Sequence, residues 1–189
     1  RGPGYVGFPL PGLATRVRDD DGSLLSDAAL RSHGATGVLE VRGANVFRRY
    51  WGVAEDPLLP DGWFVTGDVV RYDECDGFAI LGRNSQDIVN PGGYKVSALE
   101  VERTLLLLLP TQIADVAVVA TPDDVFGECV TAVVSSDSPE SLTLEQVRET
   151  CREHLAVYKL PRRLVRWDGP LPRNVMGKVD KVQLKRTVG

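Results

Sequence analysis

The spacing of apolar residues divides the chain into two parts. In the first part, short runs typical of strands stand at residues 12–18, 37–43, 69–72 and 78–81, and the first of them alternates roughly between apolar and polar positions. That alternation is typical of an exposed strand, and Asp19-Asp20-Asp21-Gly22 is a strong turn signal directly after it. We expect residues 1–82 to form a β-rich, small barrel-like unit.

The connections within this first part have less regular patterns. Residues 23–36 are mostly polar and predict a loop, whereas residues 46–51 predict a short helix. Residues 73–77 end in Asp76-Gly77, which predicts a tight connection between the last two strands.

Apolar residues take helical spacing beyond Ser97. Ser97 and Glu100 form a capping-box pattern, in which the two side chains satisfy backbone donors at the start of a helix. The apolar spacing continues through Leu109, and Pro110 ends the predicted helix.

The remaining sequence predicts strands and helices in turn. A second capping box, Thr143 with Gln146, opens a helix that should reach about Leu155. The predicted strands are residues 114–120, 129–135 and 163–167, and a last helix covers residues 180–186. The pattern predicts a compact α+β domain over residues 88–189, with a three-stranded sheet, so that the fold class of the chain is α+β.

A polar stretch, residues 82–95, separates the two parts. Its first residues have neither strand nor helix periodicity, and we interpret residues 83–87 as a hinge with Ser85 or Gln86 as the pivot. Gly92-Gly93 follows, and without Cβ atoms these residues let a backbone or a ligand come close. An ordinary linker that contains a turn is the simpler alternative.

Composition limits the class of protein. The chain has 189 residues, 43% of them apolar, which suffices for one core or two small ones. The five leucines at residues 105–109 are far too few to span a membrane, so we expect no membrane segment. The sequence begins without a signal-peptide pattern, and we expect a fragment or a processed product.

Cysteine and histidine are too few and too scattered for a metal site. The three cysteines (Cys75, Cys129 and Cys151) are far apart, and only two histidines, His33 and His154, are present. We therefore predict no disulfide framework, no protein-held metal and a reducing, intracellular compartment, either cytoplasm or mitochondrion.

Charge is unevenly distributed. The net charge is -4, but residues 159–189 contain nine Lys or Arg and two Asp, a local charge of +7. A basic end on an acidic protein favours an anionic partner, although a solvated surface gives the same count. We do not expect nucleic acid, because aromatic and basic residues are not interleaved.

Two short motifs carry candidate chemistry. In Thr66-Gly67-Asp68, a carboxylate on a glycine turn can accept two hydrogen bonds from a vicinal diol such as ribose, or Asp68 simply caps the turn. In Gly177-Lys178, a lysine just before a helix can neutralise charge on a phosphoryl group, or it is a solvated lysine.

Taken together, the motifs resemble the carboxy-terminal part of the adenylate-forming superfamily of acyl-CoA synthetases, luciferases and adenylation domains. The resemblance covers essentially the whole chain and is nearest to the malonyl-CoA synthetase branch. The motifs that carry it, in chain order, are Thr66-Gly67-Asp68, Gly82-Arg83 with Asp87, Gly92-Gly93-Tyr94-Lys95 with the following helix, and Pro172-Arg173-Asn174 with Gly177-Lys178.

The resemblance implies an enzyme with two half-reactions. A carboxylate attacks the α-phosphate of MgATP to give an acyl adenylate, and CoA then takes the acyl group as a thioester. It implies that Asp68 holds the ribose, that Arg83 contacts ribose and phosphate, and that Lys178 serves catalysis in the first step only. Gly92 and Gly93 would line the pantetheine path, with Lys95 near a CoA phosphate.

The resemblance also implies a missing partner and leaves alternatives open. The phosphate loop and the acyl pocket would lie in an amino-terminal domain, which with ATP itself would hold most of the Mg²⁺, so we expect the isolated chain to be inactive. The interval from Arg83 to Gly92 is one residue longer than in many relatives. The alternatives are an adenylation domain that loads a carrier protein, and a non-catalytic module that binds a nucleotide or a partner.

Overall fold

The structure, a computed structural model, describes residues 4–31, 35–135 and 142–189. The chain divides into two compact units, Arg1–Ser85 and Gln86–Gly189. The predicted boundaries, 1–82, 83–87 and 88–189, remain a prediction, because the middle range was predicted as a hinge and a hinge is defined by movement.

The first unit is an antiparallel sheet of five strands in the order β1-β5-β4-β3-β2. The strands are β1 (Tyr5–Gly7), β2 (Leu13–Arg18), β3 (Thr36–Gly43), β4 (Phe64–Asp73) and β5 (Gly77–Arg83). Val17, Val70 and Phe78 form the centre of its core. Each of these residues lies on a different strand, so the core crosses the middle of the sheet.

The barrel-like form predicted for this unit is wrong in one respect. The short strand β1 pairs with β5, and β2 pairs with β3, so these two strands lie at opposite edges. The described strands therefore form an open sheet. The predicted α+β class itself is confirmed.

Two local predictions in the first unit also differ from the structure. Residues 46–51 form irregular structure with bends and a turn rather than a helix, and the Phe47 ring there packs edge-on against Phe64 of β4, at 4.9 Å between ring centres. Phe47 also packs against Tyr50 at 4.7 Å, a contact between residues three apart that a helix would permit as well. The predicted loop at 23–36 contains a short helix, α1 (Asp27–Arg31), while residues 32–34 of that loop lie outside the described residues.

The second unit contains the predicted three-stranded sheet with the order β10-β9-β8. Its strands are β8 (Asp115–Asp123), β9 (Gly127–Ser135) and β10 (Arg163–Trp167), after a small pair formed by β6 (Ile88–Val89) and β7 (Val96–Ser97). Its helices are α2 (Ala98–Leu108), α3 (Leu144–Cys151) and α4 (Lys181–Val188), with a short 3-10 helix at Val157–Lys159.

Both faces of this three-stranded sheet are covered. Side chains alternate along β8, so that Val116 and Val118 pack with α2 and α3, whereas Ala117 and Val119 pack with Leu184 of α4. Burial on both faces explains why β8 contains the continuous apolar run 116–120 and why β9 is apolar over 129–134 except at the buried Thr131. Within the described residues, no helix is long and apolar enough to cross a membrane.

The helix caps follow the sequence closely. The Ser97 hydroxyl accepts a hydrogen bond from the Glu100 N–H at 3.2 Å, and α2 ends just before Leu109. The complete capping box of Thr143 and Gln146 opens α3. This helix ends at Cys151, earlier than the predicted Leu155, because the chain turns there to bury both residues in the core.

Candidate functional site

Asp68 and Arg83 lie opposite each other on β4 and β5. The Arg83 Nε is 3.2 Å from the Asp68 Oδ1, and the Arg83 guanidinium also donates to the Thr66 carbonyl oxygen. The Asp68 side chain is half-buried and that of Arg83 is exposed. The pair therefore presents an acceptor and several donors side by side where β5 ends against the middle of β4.

The backbone around Asp68 is fixed by Thr66 and Gly67. The Thr66 hydroxyl donates to the Leu39 carbonyl at 2.8 Å and accepts from the Asp68 N–H at 3.0 Å. Gly67 has a φ of +76°, and a Cβ there would lie 3.1 Å from the Arg83 guanidinium. Glycine is required because a side chain would strain the backbone and displace Arg83.

Gly92 and Gly93 are the central residues of a tight turn. Both have positive φ, +58° and +85°, and the Tyr94 N–H donates to the Pro91 carbonyl at 3.2 Å. Positive φ at both central positions is the pattern of a type I′ turn. The Gly92 N–H donates to the Phe126 carbonyl at 3.0 Å, so the turn is anchored to the β8–β9 connection.

The two glycines differ in their surroundings. A Cβ on Gly92 would lie 3.1 Å from the Phe126 ring, whereas a Cβ on Gly93 would meet no atom within 4 Å. Tyr94 stacks on Tyr158 with ring centres 4.4 Å apart, and Lys95 follows as a half-buried residue just before β7. The turn thus has an open side at Gly93, next to an aromatic pair.

Lys178 lies on an exposed loop that Asn174 organises. The Asn174 Oδ1 accepts from the Met176 and Lys178 N–H groups at 3.0 and 3.1 Å, and the Asn174 N–H donates to the Lys178 carbonyl at 2.8 Å. Arg173 donates to the Gly177 carbonyl at 2.9 Å and pairs with Asp115 of β8. The backbone of the loop is therefore well defined, and the Lys178 side chain projects from a fixed base.

Sequence reasoning missed a cluster of charges near this loop. The Lys181 Nζ lies 2.6 Å from the Asp87 Oδ1 and 2.8 Å from the Glu102 Oε1. The three side chains are only 10%, 15% and 14% exposed, respectively. The residues lie far apart in the sequence, and only the spacing of Lys178 and Lys181, which places both near the start of one helix, hints at a link.

Glu102 is the most constrained carboxylate of this cluster. Burial raises the pKa of Glu102 above its ordinary value, although the Lys181 ammonium opposes the rise. The same carboxylate oxygen accepts from the Val118 N–H at 2.7 Å. Lys181 therefore helps keep a buried carboxylate ionised on α2.

The predicted pivot residues lie between two anchored positions. The Asn84 N–H donates to the Gly67 carbonyl at 2.9 Å, within the first unit. Asp87 binds Lys181 and its carbonyl accepts from the Ala98 N–H at 2.8 Å, within the second unit. Ser85 and Gln86 lie between these positions and are exposed.

The predicted site residues thus fall into three groups. Asp68 and Arg83 are in contact in the first unit. Gly92, Gly93 and Lys95 lie in and directly after one turn of the second unit, and Lys178 lies on a different loop of that unit. Among the residues that the structure describes, no three His, Cys, Asp or Glu side chains are grouped as a metal site requires.

Comparison with known proteins gives consistent matches over the chain. Residues 100–178 match the model of the AMP-binding enzyme C-terminal domain. Malonate–CoA ligase of Arabidopsis thaliana is 40% identical over 201 residues, an alignment that covers 100% of this chain and 31% of that protein. The chain spans about a third of the length of the curated relatives it matches.

Two solved structures extend the match to three dimensions. ATP-bound MatB from Rhodopseudomonas palustris has a TM-score of 0.75 and 38% identity, and covers 99% of this chain, which spans 36% of that one. The o-succinylbenzoate CoA synthetase MenE from Bacillus subtilis, in complex with its acyl-adenylate intermediate, has a TM-score of 0.78 and 28% identity. That match covers 96% of this chain and 35% of MenE.

Proposed function

The chain belongs to the adenylate-forming, AMP-binding enzyme family, and on this premise we propose that it is part of an AMP-forming acyl-CoA synthetase. The substrate class that the relatives favour is a short carboxylic acid, malonate first. The observation that carries the proposal is the match over almost the entire chain to a malonate–CoA ligase and to an ATP-bound MatB.

In the first half-reaction, an oxygen of the substrate carboxylate attacks the α-phosphorus of ATP. A new P–O bond forms, the bond to pyrophosphate breaks, and negative charge grows on the phosphoryl oxygens. The Lys178 ammonium would stabilise this charge, because a positioned cation is most effective where charge develops in the transition state. An exposed side chain on a fixed base suits this role.

The nucleoside would be held by Asp68 and Arg83. The Asp68 carboxylate can accept both hydroxyl groups of a ribose, while the neighbouring guanidinium can donate to ribose or phosphate oxygens. Their 3.2 Å contact keeps both groups oriented before a ligand arrives. We assign Mg²⁺ mainly to the phosphates of ATP and to the part of the parent protein outside this chain.

In the second half-reaction, the CoA thiol attacks the acyl carbon, the thioester bond forms, and AMP leaves with the electrons of the C–O bond. We assign Gly92 and Gly93 to the pantetheine path, with Gly93 on the open side of the turn. Lys95, directly beyond the turn, would contribute positive charge near a CoA phosphate. Lys178 has no part in this step.

Separate positions for Lys178 and the glycine turn require movement between the half-reactions. We propose that the second unit turns about Ser85 and Gln86, which lie between the anchored Asn84 and Asp87. Exposed residues between two fixed points can change φ and ψ without loss of core contacts. The second unit would then present different faces in the two steps.

The test uses the full-length parent and separates the half-reactions. Lys178→Ala should abolish acyl-adenylate formation, measured by pyrophosphate release in the absence of CoA. Thioester formation from supplied acyl adenylate should remain within about twofold of the unmodified enzyme, because Lys178 acts in the first step only. Lys185→Ala is the control, since this lysine is exposed on α4, and it should change neither rate. An equal loss in both steps would refute the role given to Lys178.

A further inference from the structure

The cluster of Lys181, Asp87 and Glu102 connects three elements of the second unit. Lys181 is the first residue of α4, Glu102 lies in α2, and Asp87 is the residue directly after Gln86. Contacts of 2.6 and 2.8 Å from one ammonium to two carboxylates are short, charge-assisted hydrogen bonds. The position at which the chain leaves the proposed pivot is thereby tied to the start of α4.

The start of α4 is in turn continuous with the loop of Lys178. Lys181 follows Lys178 by three residues. The Asp180 N–H donates to the Pro172 carbonyl at 2.8 Å, and the Asp180 carboxylate caps α4 by accepting from the Gln183 N–H at 3.0 Å. With the hydrogen bonds of Asn174 across the loop, residues 172–181 form one hydrogen-bonded segment.

Open space lies on one side of this connection. A cavity of about 570 Å³ is lined by Gln86, Asn174 and the first residues of α4. Side-chain packing therefore does not fill the space between Gln86 and the base of the Lys178 loop. The ion pair of Lys181 with Asp87, the neighbour of Gln86, directly links the pivot region to the base of the Lys178 loop.

A buried ion pair is a poor means of stabilising a fold, because desolvation offsets most of the attraction. What the ion pair does instead is fix the relative position of the elements that carry the charges, because a charged donor between two carboxylates has few alternative arrangements. The Val118 N–H fixes the Glu102 carboxylate from β8, so the ammonium is held against a rigid reference. This arrangement suits a contact that must keep the Lys178 loop in a fixed position relative to Asp87 while the second unit rotates.

We propose that Lys181 is a positioning residue, which locks the Lys178 loop to Asp87 so that a turn at Ser85 and Gln86 places Lys178 on the α-phosphate. The inference rests on the proposed function. It adds that Lys181 acts through Lys178 and therefore serves adenylate formation selectively. The turn of Gly92 and Gly93 is anchored separately, by the hydrogen bond from Gly92 to Phe126. The thioester step should therefore not depend on this lock.

The experiment compares Lys181→Met with Lys185→Met in the full-length parent. Methionine keeps most of the apolar stem and removes the charge, and Lys185 is an exposed lysine on the same helix, 3.9 Å from its nearest carboxylate. Lys181→Met should lower kcat of adenylate formation roughly 10- to 100-fold through misplacement of Lys178. The KM for ATP and the thioester step should stay within about twofold, as should all rates of the control.

Two further measurements separate positioning from mere support of the fold. Asp87→Asn should reproduce the selective loss, and the double variant with Lys181→Met should lose no more than either single variant, as expected for one shared interaction. Amide exchange at residues 174–178 of the parent should rise in Lys181→Met and not in Lys185→Met.

The outcomes keep this inference distinct from the proposed function. Equal loss in both half-reactions, or an unchanged exchange rate at residues 174–178, would overturn the role of Lys181. Failure of the unmodified parent to form any acyl adenylate would overturn the proposed function and with it the catalytic part of this inference. The exchange measurement would still decide whether Lys181 holds the loop.

Discussion

At the scale of single residues, one buried carboxylate is held ionised by neighbouring arginines. Glu40 of β3 is buried, yet it is ionised between two arginines of β2: Arg18, whose Nε is 2.7 Å from the Oε1, and Arg16. Arg18 first, then Arg16, hold the pKa of Glu40 below its ordinary value, although burial alone would raise it. The first sheet therefore contains a charge on which its stability should depend.

Glu40→Gln should lower the free energy of unfolding by about 2 kcal/mol at pH 7, because it removes charge-assisted hydrogen bonds. A carboxyl with a depressed pKa contributes stability above its unfolded pKa, about 4.3, and loses it as pH falls through the lower folded value. Urea unfolding at several pH values should show the gap between the two proteins closing below about pH 4. A gap that is the same at pH 7 and at pH 3 would contradict the assigned cause.

The two glycines of the turn should respond differently to the same substitution. Alanine at either position adopts a left-handed backbone, which costs roughly 1–2 kcal/mol, and Gly92→Ala must also displace the Phe126 ring. We expect Gly92→Ala to be the more destabilising in chemical denaturation. If Gly93 lines the pantetheine path, Gly93→Ala in the parent should slow the thioester step more than adenylate formation. Equal slowing of both steps would argue against that assignment.

Secondary-structure elements show which information is local. Both helix starts, at Ser97 and Thr143, were predictable because a cap involves residues three apart. The absence of a helix at residues 46–51 was not predictable from local sequence, since one of the rings that pack against Phe47 belongs to β4. The same distinction applies to the site: Asp68 and Lys178 stand in short motifs, whereas Lys181 and Asp87 are 94 residues apart and meet only in the fold.

The cap of α3 provides a test at this scale. Thr143→Ala removes the hydroxyl that accepts from the Gln146 N–H at 3.2 Å and should lower the free energy of unfolding by about 1 kcal/mol. Thr143→Ser keeps an acceptor at the same position and is the matched control. Chemical denaturation of the second unit should place the control close to the unmodified protein. A loss of similar size in both variants would show that the threonine methyl group, and not the cap, is responsible.

At the scale of the whole molecule, the chain is two cores joined by a short exposed segment. The second unit buries both faces of its sheet, and this close packing gives it the rigidity that the proposed rotation as one body would require. We expect the 189 residues alone to give no thioester from ATP, CoA and malonate, because the phosphate loop and the acyl pocket that the family requires would lie elsewhere in the parent. Thioester production by the purified chain would contradict this expectation.

The hydrogen bond from the Asn84 N–H to the Gly67 carbonyl has a consequence for the order of events. It keeps Arg83 beside Asp68 in the first unit, so under the proposed rotation the groups assigned to the nucleoside would not move with Lys178. The nucleoside would stay bound while the glycine turn replaces Lys178 between the two half-reactions. AMP would then leave the same nucleoside site that ATP enters, and it should act as a product inhibitor that competes with ATP for the vacant site.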